Sequence, residues 1–170
     1  GEPRGRCRAD RNRNDLDHAE IAPMITPIRG RVRARRCAVQ ALYQWQLAGH
    51  HPQDIIKEFV AERELVNVDM DYFSTLTREI PAHVQELQSD LQNALDRPFQ
   101  ELDPIERGIL LIGAYELRYS PEIPWRVVIN EAIELTKMFG AEQAYKYVNG
   151  VLDKMVGTSR SAEMRALSRG

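Results

Sequence analysis

Residues 103–119 read Asp103-Pro104-Ile105-Glu106-Arg107-Gly108-Ile109-Leu110-Leu111-Ile112-Gly113-Ala114-Tyr115-Glu116-Leu117-Arg118-Tyr119. An aspartate at the cap position, a proline at the first helical position and a carboxylate three residues after the cap fix one helix start by two devices. Ile105, Ile109, Leu110 and Ile112 then make a nearly all-apolar helix as far as Tyr119. A helix that is apolar around most of its circumference must be surrounded, so this one is predicted to be the central, most buried element.

Working outward, the loop Ser120-Pro121-Glu122-Ile123-Pro124 leads into a helix with Val128, Ala132, Leu135 and Phe139 on one stripe and Gly140 as its C-terminal cap. A last helix is predicted from 141 to about 156. It contains Asn149-Gly150, in isolation a hairpin signal. The flanking Ala144, Val148, Val151, Leu152 and Met155 keep the helical period, so the spacing favours a helix in which Gly150 permits close helix contact. Upstream, Asp69 has the place of an N-cap for a helix carrying Tyr72, Phe73, Leu76 and Ile80, with Pro81 expected to break or kink it. Val84, Leu87, Leu91 and Leu95 continue one apolar face as far as Arg97-Pro98. Residues 53–64 carry Ile55, Ile56, Phe59 and Val60 at helical spacing, and residues 31–48 carry Ala38, Ala41, Leu42 and Trp45 before Gly49 and Pro52. No segment alternates as a strand would. The fold class is therefore all-α, with about seven helices.

The formal net charge of -2 conceals an asymmetry. Residues 1–36 hold ten arginines against five acidic residues, so a basic end is joined to an acidic body. Residues 1–27 have few large apolar side chains and are expected to be a disordered basic extension; residues 157–170 are expected to be a flexible tail. No apolar run approaches the roughly 20 residues that cross a bilayer, and Cys7 and Cys37 lack a metal-ligand spacing. A cytoplasmic protein without a membrane segment is expected.

Arg29, Arg31, Arg33, Arg35 and Arg36 stand in eight residues with no acidic neighbour, immediately before the aromatic and apolar helix at 37–47. Such a block repels itself unless an anion neutralises it, which points to nucleic acid. At 100° per residue Arg29, Arg33 and Arg36 share one side and Arg31 and Arg35 another. Tyr43, Tyr145 and Tyr147 offer planar surfaces on which unpaired bases could stack. Signatures of catalysis are missing: there is no Gly-rich phosphate loop, no Gly-x-Ser-x-Gly and no His-Glu-x-x-His. His50-His51 reads as a solvated loop pair, and Glu131 with Glu134 as a solvent or partner face. A non-catalytic binding protein with no cofactor is expected. A helix-turn-helix DNA regulator, the rival reading, needs a short recognition helix preceded by a tight turn.

Three stretches carry a resemblance: Arg-Ala-Arg-Arg-Cys-Ala-Val-Gln-Ala-Leu-Tyr-Gln-Trp-Gln (33–46), Asn-Glu-Ala-Ile-Glu-Leu-Thr-Lys-Met-Phe-Gly-Ala-Glu (130–142) and Tyr-Val-Asn-Gly-Val-Leu-Asp-Lys (147–154). In order and spacing they closely resemble the NusB family of bacterial transcription antitermination factors, over about residues 28–156. The resemblance implies two packed three-helix bundles and a non-catalytic protein. It further implies pairing with NusE, a small-subunit ribosomal protein, and binding of single-stranded boxA RNA in ribosomal RNA leaders. Membership in an antitermination complex on RNA polymerase, and support of ribosomal RNA maturation, are implied as well. By the same resemblance Arg29, Arg31, Arg33, Arg35, Arg36 and Tyr147 are expected to face RNA, and Tyr43 and Glu106 to face NusE. The chain departs from the family pattern in its arginine-bearing stretch before Met24 and in Tyr147, where phenylalanine is frequent.

Overall fold

The computed structural model describes residues 9–160 and Glu163, with the backbone alone described for residues 9–26. Among the described residues there are seven α-helices and one 3-10 turn: α1 (Ala9–Ala48), α2 (Pro52–Glu62), α3 (Met70–Ala82), α4 (Val84–Gln92), the turn Phe99–Glu101, α5 (Pro104–Tyr119), α6 (Trp125–Phe139) and α7 (Ala144–Ser159). Helices α1, α2 and α3 pack on one another as a first bundle, and α4 to α7 form a second around α5. Helix α1 joins the two by lying against α5 and α6 as well.

Helix α5 is the centre, as its sequence predicts. Gly108 to Leu117 are all buried, and the Asp103 carboxylate accepts from the amides of Ile105 (3.1 Å) and Glu106 (3.4 Å). Close approach of α7 is set at Gly113, where a Cβ would lie 3.0 Å from both terminal methyls of the fully buried Leu152. We expect Gly113→Val to destabilise the fold by about 1–3 kcal/mol, because a close-packed core does not yield freely to added methyls. Urea denaturation measures this, and wild-type stability would show that the two helices separate without loss.

Asp69 caps α3, its side chain accepting from the Tyr72 amide at 3.0 Å, while its own amide donates to the Gly30 carbonyl of α1 at 3.0 Å. This pair of bonds fixes the first helix against the third. Pro81 lies in the last turn of α3, and the chain breaks at His83 before α4 begins. His51, expected to be merely solvated, is the N-cap of α2: its Nδ1 accepts from the Gln53 amide at 3.2 Å.

Gly140 caps α6, as the sequence predicts, in an extended conformation (φ -88°). Glycine is required there because a Cβ would stand 2.8 Å from the Thr136 carbonyl oxygen. Gln143 then turns the chain with φ 71°, so α7 starts at Ala144 rather than at 141. Gly150 is exposed and faces open space, not a neighbouring helix. At the upstream end the backbone of α1 is helical from Ala9. Continuity with the packed helix supplies the first turns that its polar N-terminal stretch cannot nucleate alone.

At the other end, the expected tail boundary at 157 falls inside packed structure. Helix α7 runs to Ser159, and Arg160 is buried. Its guanidinium donates to four backbone carbonyls: Leu117 (2.8 Å), Ile123 (3.0 Å), Glu116 (3.0 Å) and Ser120 (3.0 Å). It also donates to the Glu163 carboxylate at 2.7 Å, whose other oxygen accepts from the Trp125 amide at 3.1 Å. One cation thereby fills the open C-terminal carbonyls of α5, and its partner carboxylate caps the start of α6. The expected disorder of residues 1–8 and the expected flexibility of residues 164–170 lie outside the described residues.

Candidate nucleic-acid and partner interface

The five arginines at positions 29–36 of α1 divide by helical face, as the 100° spacing predicts, but the two faces have different surroundings. Arg29 and Arg36 are exposed. Arg33 is half-buried and donates to the Val66 carbonyl at 2.9 Å, tying α1 to the α2–α3 connection. Among the described residues none of these three pairs with a carboxylate. They form the outward cationic edge.

Arg31 and Arg35 point the other way, into the seam between the bundles. The Arg31 guanidinium lies 4.7 Å over the Tyr72 ring. Arg35 is only 4% exposed. Its Nε donates to Glu116 Oε2 at 2.9 Å and to Oε1 at 3.2 Å, its Nη2 lies 2.9 Å from Oε2, and the Tyr72 hydroxyl donates to that same Oε2. Glu131 stands 4.0 Å from Arg35 Nη1. Burial pushes the Glu116 carboxyl up, against the opposing pull of Arg35 and Tyr72. Burial and the neighbouring Glu116 raise the Tyr72 phenol, which keeps it a donor. The expectation that Arg35 contacts RNA is therefore corrected: its charge is internal, neutralised by a glutamate 81 residues away. Periodicity alone could not show this, because Glu116 is one carboxylate on a helix read as apolar. Glu131, read as a solvent or partner face, belongs to the same seam.

Tyr147 stands on α7, which packs on α4, α5 and α6. It is thus in the second bundle, while the cationic edge is on α1. The Tyr147 hydroxyl donates to Asp96 Oδ1 at 2.9 Å, and the Arg97 guanidinium lies 4.8 Å over the ring. Arg97 Nε also donates to Asp96 Oδ1 at 2.9 Å. With donors from both neighbours, the Asp96 carboxyl is held down at about 2 and stays ionised through the neutral range. The extra hydroxyl of Tyr147 is what closes this arrangement. Asp96 and Arg97 were absent from the sequence-based set; their signal was only a charged pair before a proline. Tyr145 has Lys137 Nζ 5.1 Å over its ring.

Tyr43 is 41% exposed and lines a groove of about 430 Å³ together with Leu47, Arg63, Ile105 and Phe139. Ile105 is the chain neighbour of Glu106, the other residue expected to face a partner, but Glu106 itself does not line this groove. The Glu106 carboxyl is pushed up by partial burial and by Asp103, with Arg97 drawing it the other way. Among the described residues no helix is long and apolar enough to cross a membrane.

The profile of the NusB family matches residues 32–157 of this chain. The chain belongs to the NusB family. It is 49% identical over 130 residues to the transcription antitermination protein NusB of Idiomarina loihiensis, covering 76% of this chain and 94% of that protein. It is 50% identical over 125 residues to the transcription antitermination protein NusB of Pasteurella multocida, covering 74% and 87%. A crystal structure of the antitermination factors NusB and NusE in complex with dsRNA superposes with a TM-score of 0.68 at 32% identity, covering 75% of this chain and 96% of that one. Membership in the NusB family carries the non-catalytic reading with it. The match begins at Val32, so Arg29 and Arg31 lie just ahead of it and Arg33, Arg35 and Arg36 within it.

Proposed function

We propose that this member of the NusB family is a cytoplasmic RNA-binding adaptor in transcription antitermination. In this reading the outward arginines of α1 neutralise phosphates, the Tyr147 patch receives bases, and the Tyr43 groove together with Glu106 docks NusE. The RNA is the single-stranded boxA element of ribosomal RNA leaders, and the pair joins the antitermination complex on RNA polymerase and supports ribosomal RNA maturation. The observation that carries the reading is the exposure of Arg29 and Arg36 on a helix whose buried Arg35 is already neutralised from within. Surplus cations on one edge of a chain with net charge -2 are what a polyanion needs. The acidic remainder suits a basic protein.

Salt dependence tests this directly. Each phosphate contact to a single strand contributes about 0.7 to the slope of log K against log salt. Arg29→Ala with Arg36→Ala is therefore expected to flatten the slope by more than about one unit, measured by fluorescence anisotropy on a boxA RNA. An unchanged slope removes these arginines from the interface. A second reading, duplex RNA as the ligand, is favoured by the dsRNA in the complex of the solved relative. Affinities for a boxA strand, an RNA duplex and a DNA duplex of equal length, compared at one salt concentration, separate the readings.

A further inference from the structure

The loop between α4 and the 3-10 turn is held unusually firmly for an exposed segment. The Gln92 side chain clips it from both sides, its Nε2 donating to the Arg97 carbonyl at 3.0 Å and its Oε1 accepting from the Phe99 amide at 3.0 Å. Phe99 is buried beneath. On this fixed backbone the Asp96 carboxylate takes a hydrogen bond from Arg97 Nε and another from the Tyr147 hydroxyl, both at 2.9 Å. These bonds fix the guanidinium over the ring, with its side chain still 49% exposed. Nη2 has only a long contact to Asp96 at 3.4 Å, and Nη1 has no hydrogen-bond partner among the described residues. Gly150, one helical turn beyond Tyr147 on the same side, faces open space and leaves room beside the ring.

We propose that Arg97 is a nucleic-acid contact residue: held over the Tyr147 ring with half of its side chain exposed, it offers its guanidinium plane to an unpaired RNA base. Asp96 and Tyr147 are its positioning residues. Guanidinium planes stack on splayed bases as aromatic rings do, and here the plane is set before any ligand arrives. Because Asp96 neutralises the charge, the seat works by stacking and by the donors of Nη1 rather than by attraction for phosphate. That separates it from the α1 edge, where charge dominates. This inference rests on the RNA-binding reading above and assigns it a second, chemically different subsite.

The test is a set of single variants titrated with a fluorescently labelled single-stranded boxA RNA at several salt concentrations. Arg97→Ala and Arg97→Lys are each expected to weaken binding by about tenfold, within the range for loss of one stacked base, with the salt slope nearly that of the wild type. Tyr147→Phe, which removes only the hydroxyl holding Asp96, is expected to weaken it by about threefold. Lysine is the decisive variant because it keeps the charge and loses the plane. Wild-type binding by Arg97→Lys, or a slope reduced in Arg97→Ala as far as in an α1 arginine variant, overturns the stacking seat and leaves the α1 reading intact. Absence of RNA binding by the wild-type chain overturns both. Unchanged thermal unfolding of the Arg97 variants, expected for an exposed side chain, excludes a folding defect as the cause of a loss.

Discussion

Glu116→Gln is expected to lower the unfolding free energy by about 3–5 kcal/mol, the usual cost of breaking a buried ion pair from one side. The amide preserves volume but leaves the Arg35 guanidinium almost fully buried without a counter-charge, and the Tyr72 hydroxyl with a poorer acceptor. Removing both charges together is a different matter. Arg35→Met with Glu116→Leu and Tyr72→Phe replaces the seam by apolar contacts, and such replacements in other proteins have been neutral or stabilising. Most of the lost stability is expected to return in the triple variant. Urea denaturation of the single, double and triple variants measures this, and a Glu116→Gln protein within about 1 kcal/mol of wild type would mean that the pair contributes little. The triple variant also tests whether the Arg35 guanidinium takes part in RNA binding. If its charge is internal, the salt slope of RNA binding stays that of the wild type.

Arg160→Ala is the second large effect. Four carbonyl oxygens and one carboxylate converge on this guanidinium. Hydrogen bonds to a charged group contribute about 1.5–3 kcal/mol each but are not additive. A net loss of about 3–5 kcal/mol is expected, in the range that marks a broken buried network. Arg160→Lys should recover only part of it, because an ammonium has three donors and no planar fork to reach carbonyls on both sides of the α5–α6 connection. Hydrogen exchange adds a local reading: amides at the start of α6, where Glu163 accepts from Trp125, should lose protection ahead of those in α1 to α3. Equal stability of both variants with the wild type would mean that water replaces the clamp.

The parts of this molecule that the sequence discloses are those written in local chemistry. Asp103-Pro104 starts α5, Asp69 starts α3, and the apolar periods of α1 and α6 name the buried faces, because each of these signals lies within one or two turns of the element that it shapes. Arg35 and Arg160 are the opposite case. Each is an arginine beside a helix, one in a basic block and one in an apparent tail, and each is buried by groups that are distant in the chain. A carboxylate on an apolar helix and a set of backbone carbonyls leave no local mark. Gly150 misled for a related reason, since a glycine in a helical pattern is equally consistent with close packing and with open space. For the candidate interface, Arg29 and Arg36 read from sequence as exposed cations and are so, whereas Asp96 and Arg97 matter only once the chain has folded them against Tyr147.

The division of the α1 arginines bears on how basic tracts in relatives should be compared. A tally of positive residues overstates what the helix offers a polyanion, because register decides whether a guanidinium faces solvent or the seam. Two homologues with equal tallies, offset by a single position, would differ both in folding and in RNA affinity. Inserting one alanine between Arg33 and Arg35 would swing the upstream charges by about 100°, so that side chains now outside would turn toward Tyr72.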